Sequence, residues 1–136
     1  MGKVLGIDYG AKRTGIAITD AMQIIASGLT TIATHKLDEF ITDTVAKETI
    51  EFFVVGNPKN LDGSASDVTR YVNSFVKRLK KKFPTIPVYQ IDERFTSKIA
   101  KKSILSAGIK KEKRRNKSLI DKVSATIILQ DYLNSR

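Results

Sequence analysis

Apolar residues fall in short runs over the first third of the chain and mostly at helical spacing after it. Val4-Leu5-Gly6-Ile7, Gly15-Ile16-Ala17-Ile18-Thr19 and Ile24 to Ala33 are predicted strands, the last rich in Ile and Thr. The links between them are short, so a three-strand antiparallel meander is expected. Leu37, Ile41 and Val45 recur at helical spacing and predict a helix from Asp38 to Thr49. Phe52-Phe53-Val54-Val55-Gly56 is continuously apolar, as a strand covered on both faces requires. Asn57-Pro58 and Asp62-Gly63 mark a loop, after which Ser64 can cap a helix with Asp67 at its third position. Val68, Val72, Phe75, Val76, Leu79 and Phe83 form the apolar stripe of that helix. Lys77, Arg78, Lys80, Lys81 and Lys82 follow at its end, where cations suit the helix dipole. Pro87 to Ile91 predicts a strand, Ser97 to Leu105 a modest helix, and Ser118 to Leu133 a helix dense in Leu, Ile and Val. The order βββαβαβαα describes one α/β domain over residues 1–136, its sheet mixing antiparallel and parallel strands.

Charge changes the picture more than composition does. The 136 residues carry +10 formal charges, which points to a polyanionic partner, nucleic acid first. Between Lys98 and Lys117 nine cations stand against one acid, so a net +8 sits in that segment and only +2 in the rest. Cysteine is absent, excluding disulfides, thiol catalysis and cysteine-ligated zinc, and a single histidine, His35, cannot build a histidine metal site. His35 is expected in a surface turn. The longest stretch without formal charge, Ala21 to His35, has 15 residues including three threonines, so no membrane span is expected. Asp8 interrupts any signal-peptide core, and a cytoplasmic location is the expectation.

Three acids stand where chemistry is possible. Asp8 ends the first strand, inside Asp8-Tyr9-Gly10-Ala11-Lys12-Arg13-Thr14-Gly15. A Walker phosphate loop would need Lys after the second glycine, where Ile16 stands. An Asp-Gly phosphate loop of the kind in actin-like ATPases fits the letters, but that fold needs two such domains and a far longer chain. A carboxylate at the end of a central strand is costly unless it is paired or metal-bound. Asp92-Glu93 closes the last strand, and alternation lets only one of the pair face Asp8. Asp121 is open to a plainer account, since Ser118-Leu119-Ile120-Asp121 matches a helix-capping pattern. It also continues the stripe Asp121, Ala125, Ile128, Tyr132 on a helix with little polar surface. Carboxylates from a first strand, a last strand end and a final helix can converge on one sheet face. Hard oxygen donors in such a cluster select Mg²⁺ or Mn²⁺.

Four ordered stretches carry a family resemblance. Leu5-Gly6-Ile7-Asp8-Tyr9-Gly10-Ala11-Lys12-Arg13-Thr14-Gly15-Ile16-Ala17 resembles the opening motif of the YqgF family. Val55-Gly56-Asn57-Pro58 with Asp62-Gly63, Asp92-Glu93-Arg94-Phe95-Thr96-Ser97, and Asp121-Lys122-Val123-Ser124-Ala125 with Ile128-Leu129-Gln130 resemble its later motifs in order. Asn57, Phe95 and Ser97 depart from the residues usual there. The resemblance implies a ribonuclease-H-like α/β fold, a mixed sheet of about five strands flanked by helices. Members are described as pre-16S rRNA nucleases and, earlier, as Holliday junction resolvases. It further implies that Asp8, Glu93 and Asp121 are the catalytic acids and hold Mg²⁺ or Mn²⁺.

The resulting expectation is a metal-dependent endonuclease acting on structured nucleic acid. Lys12, Arg13, Arg94, Lys110, Lys111, Lys113, Arg114 and Arg115 are expected to position its backbone by phosphate contacts that carry no sequence information. Precursor ribosomal RNA, within ribosomal precursor particles, is the favoured substrate through the resemblance. A four-way DNA junction is the alternative, and a non-catalytic RNA-binding assembly factor is the reading of a different class.

Overall fold

Alternation along Lys3–Asp8 (β1) sends Leu5 and Ile7 to one face and Val4 and Gly6 to the other, and all four are buried. A strand buried on both faces belongs in the interior of its sheet. The computed structural model describes residues 2–57, 67–92 and 117–135, and there five strands form one sheet in the order β3-β2-β1-β4-β5. The others are β2 (Arg13–Thr19), β3 (Ala26–Ala33), β4 (Ile50–Asn57) and β5 (Val88–Asp92). β1, β2 and β3 make the expected antiparallel meander, while β4 and β5 join parallel to β1. The C-terminal ends of β1, β4 and β5 therefore share one edge of the sheet.

Helices cover both faces. A 3-10 turn over Thr34–Lys36, with His35 exposed, leads into α1 (Leu37–Lys47). α2 spans Asp67–Lys82, and the last helix, α3, spans Lys117–Ser135. Leu5, Ile7, Ile16, Phe53 and Val55 pack against Leu37 and Ile41 of α1 and Val72, Phe75 and Leu79 of α2. Val4, Ala17, Phe52 and Val54 pack against Ala125, Ile128 and Leu129 of α3 on the opposite face. α3 lies very close to the sheet because two glycines admit it. A Cβ at Gly6 would stand 2.9 Å from the Leu129 Cβ, and one at Gly28 would stand 2.7 Å from the Lys122 Cγ. Further along, Tyr132 stacks on Tyr89 of β5 with ring centroids 5.6 Å apart and meets the Phe52 ring at 5.5 Å.

Three expectations change in detail. β3 starts at Ala26 rather than Ile24, because the Asp20 carboxylate accepts the backbone N–H groups of Met22, Ile24 and Ile25 at 2.9–3.0 Å. Those bonds fold the preceding residues into a turn that leaves Ile24 and Ile25 each 62% exposed. Gln23, at φ 58, completes the turn, its buried amide donating to the Gly2 carbonyl at 2.8 Å and to Glu51. The second change is at α1, which starts at Leu37 and ends at Lys47, ahead of the expected Thr49. The third is at α3, which is already under way at Lys117, ahead of the Ser118 position that the capping account of Asp121 assumed. The expected Ser64 cap and the helix expected from Ser97 to Leu105 lie outside the described residues.

Candidate active site

Asp8 is the last residue of the middle strand and is half-buried. By alternation it takes the face of Val4 and Gly6, the face that α3 covers. Its neighbour Tyr9 goes the other way and stacks on Phe75 of α2 at 5.1 Å. Across the antiparallel pair Asp8 lies opposite Gly15. Across the parallel pair, one step beyond Ile7–Val55, it lies beside Gly56. The positions directly beside Asp8 on the two adjoining strands are thus both glycines.

The connection after Asp8 is fixed in place. The Thr34 hydroxyl donates to the Gly10 carbonyl at 2.6 Å and its backbone N–H donates to the Lys12 carbonyl at 2.9 Å. With the Thr34 proton so used, Thr14 donates its own hydroxyl to the Thr34 oxygen at 2.9 Å. A side chain at Gly10 would run into the Arg13 carbonyl oxygen. The tight turn thus presents Lys12 exposed, with Arg13 half-buried at the start of β2.

The C-terminal end of β5 reaches the same edge of the sheet. β5 lies two strand spacings from β1, roughly 10 Å, and ends at Asp92 opposite Asn57. Its helix-facing positions are Tyr89 and Ile91. In α3, Leu129 rests on Gly6 while Lys122 and Thr126 rest on Gly28, and the two glycines share one level of the sheet through Ala17, so the helix crosses the sheet from β3 toward β1. Ala125, Ile128 and Tyr132 lie against the sheet as the stripe required, and Asp121 falls one turn before Ala125 in the same helix. Glu93, Arg94, Lys110, Lys111, Lys113, Arg114 and Arg115 lie outside the described residues. Among the described residues no group of three or more His, Cys, Asp and Glu is placed to hold a metal ion.

A groove of about 460 Å³ lined by Ile18, Leu29 and Phe40, with Lys3, Lys47 and Glu48 at its rim, opens near the N-terminal end of β1, away from Asp8. It contributes nothing to the acid edge. The glycine pair, Gly15 and Gly56, was not singled out by the sequence reading. Its signal was there: each glycine closes or opens a predicted strand within a motif that also holds an acid or a turn.

A mixed five-stranded sheet with helices on both faces, and an acid at the end of its middle strand, is an arrangement of the ribonuclease-H-like class. Residues 2–135 match the RuvX family, described as Holliday junction resolvase, and the chain belongs to that family. It is 52% identical over 136 residues to a Bacteroides thetaiotaomicron protein named "Putative pre-16S rRNA nuclease", covering 100% of this chain and 99% of the relative. A Flavobacterium johnsoniae protein of the same name is 53% identical with the same coverage. Among solved structures, Thermus thermophilus RuvC in complex with a Holliday junction substrate superposes with a TM-score of 0.60 at 18% identity, covering 100% of this chain and 96% of that one. That likeness is one of fold.

Proposed function

We propose that this nuclease hydrolyses phosphodiesters of structured RNA, its substrate being the 5′ region of pre-16S ribosomal RNA, with Asp8, Glu93 and Asp121 as the catalytic acids. The observation that carries the proposal is Asp8 itself, set between Gly15 and Gly56 at the C-terminal end of the middle strand. Glycines directly beside that carboxylate leave room of the kind that a hydrated divalent ion and a phosphate need. The alternation that gives Tyr89 and Ile91 of β5 to the α3 face supports an odd-numbered ligand, Glu93 rather than Asp92. Asp121, on the stripe of Ala125 and Ile128, completes a set of oxygen donors suited to Mg²⁺ or Mn²⁺. A divalent ion held there supplies Lewis acidity to the phosphodiester and an activated water. Lys12 and Arg13, presented by the pinned turn, position the phosphate backbone together with Arg94 and the cations at 110–115. The RNA choice follows the names of the full-length relatives. The family description supports a four-way DNA junction as the second reading.

The test uses purified protein with precursor rRNA leader and with a four-way DNA junction, each with and without Mn²⁺. Asp8→Asn, Glu93→Gln and Asp121→Asn are each expected to abolish metal-dependent cleavage, with double variants no worse than singles because the acids act as a unit. They are also expected to lose the Mn²⁺-induced rise in melting temperature that binding to the folded state gives the wild type. Near-normal cleavage by Asp121→Asn would remove that residue from the site. Paired cuts in the junction and none in the leader would reverse the choice of substrate.

A further inference from the structure

We propose that the outer face of α2 is a phosphate-binding rail for a duplex RNA arm of the substrate, an inference that rests on the RNA reading above. The helix carries six cations and one acid over Asp67–Lys82. Its apolar side is committed to the core through Val72, Phe75, Val76 and Leu79, which fixes what faces outward. Arg70, Asn73, Ser74, Lys77 and Lys81 recur at helical spacing on the solvent side, with Lys80 beside them, and all six are exposed.

Folding explains only some of these charges. Arg78 pairs with Asp38 at 3.7 Å and lies over the Phe75 ring, and Lys82 lies over the Phe83 ring. Among the described residues no acid pairs with Arg70, Lys77, Lys80 or Lys81. The helix dipole accounts for cations in the last turn but not for Arg70 or Lys77. Lys77 with Lys81, and Lys77 with Lys80, are like-charge neighbours that weaken a helix. A helix that keeps such repulsion on a solvent face has use for the charge outside the fold. Tyr71, 57% exposed beside Ser74, adds a ring of the kind that packs on nucleic-acid sugars and bases.

Placement ties the rail to the acid edge. Tyr9 follows Asp8 directly and stacks on Phe75, so the middle of α2 stands at that edge. Phe83, just past the end of α2, lies against Phe53, further down the sheet. From Arg70 to Lys81 the rail is about 16 Å long. A strand entering the acid edge can thus leave its duplex lying along α2.

The experiment titrates salt against binding of a blunt RNA duplex by the wild type and by the variant R70Q/K77Q/K80Q/K81Q, with a DNA duplex of the same sequence in parallel. The log–log salt slope of the variant on RNA is expected to fall by about 3, at 0.7–0.9 per phosphate contact. Its melting temperature is expected to stay level or rise as repulsion is relieved, which separates lost contacts from lost structure. An unchanged slope overturns the rail, as does a wild type that binds neither duplex. A slope change on DNA alone overturns the assignment to RNA. Cleavage plays no part in this readout, so a protein that binds through α2 but cuts nothing would count against the proposed function and leave the rail standing.

Discussion

Asp20 is an exposed carboxylate with a definite structural task. The N–H of Ile25, then those of Ile24 and Met22, hold its pKa below the ordinary value of 3.8. A carboxylate with a lowered folded pKa stabilises the fold above its unfolded pKa, and that contribution fades as the pH falls through the folded value. Asp20→Asn is therefore expected to melt below the wild type at pH 7, with the gap closing in acid. Melting curves across pH check it, and a gap that persists at low pH would assign the effect to shape rather than charge. Gly6 offers a steric counterpart. Gly6→Ala sets a methyl group 2.9 Å from the Leu129 Cβ and is expected to cost about 1–3 kcal/mol by overpacking. Adding Leu129→Ala should give no rescue, because the blocking Cβ remains; urea denaturation of the single and double variants measures this.

Among the elements, the strands were legible in the sequence because their apolar runs serve two covered faces, as β4 shows. α1 and the sheet-facing stripe of α3 were legible from helical spacing. What escaped were side-chain bonds to the backbone and contacts between residues far apart in the chain. The turn at 20–25 depends on Asp20 reaching its own downstream amides and on Gln23 reaching Gly2 and Glu51, so Ile24 and Ile25 read as strand although they are exposed. The close seat of α3 depends on Gly6 meeting Leu129 and Gly28 meeting Lys122, pairings that no local pattern announces. Of the candidate site, Asp8 and the stripe leading to Asp121 were legible, while the glycines on either side of Asp8 acquire meaning only through strand register. The pinned turn after β1 yields a prediction at this scale. Thr34→Val removes the hydroxyl that serves both Gly10 and Thr14 and is expected to cost about 1–2 kcal/mol. Thr14→Val, which leaves the Gly10 bond intact, should cost less in the same denaturation assay.

For the whole molecule, the two layers of core are unequal in chain order. The face under α1 and α2 is assembled from residues 5–88, whereas the face holding Val4, Ala17, Phe52 and Val54 waits for Ala125, Ile128 and Leu129. Synthesis proceeds from the N-terminus, so this second face stays bare until the final helix has left the ribosome. A chain stopped after residue 116 is expected to form the α1/α2 side, bind a hydrophobic dye and aggregate, while adding α3 in trans as a peptide should suppress the dye signal. The close packing at Gly6 thus makes synthesis of α3 a condition for a sealed middle strand: Asp8 is translated early, but the helix that closes over its strand is made much later, and until then a nascent chain holds that strand with one face open to whatever surrounds it.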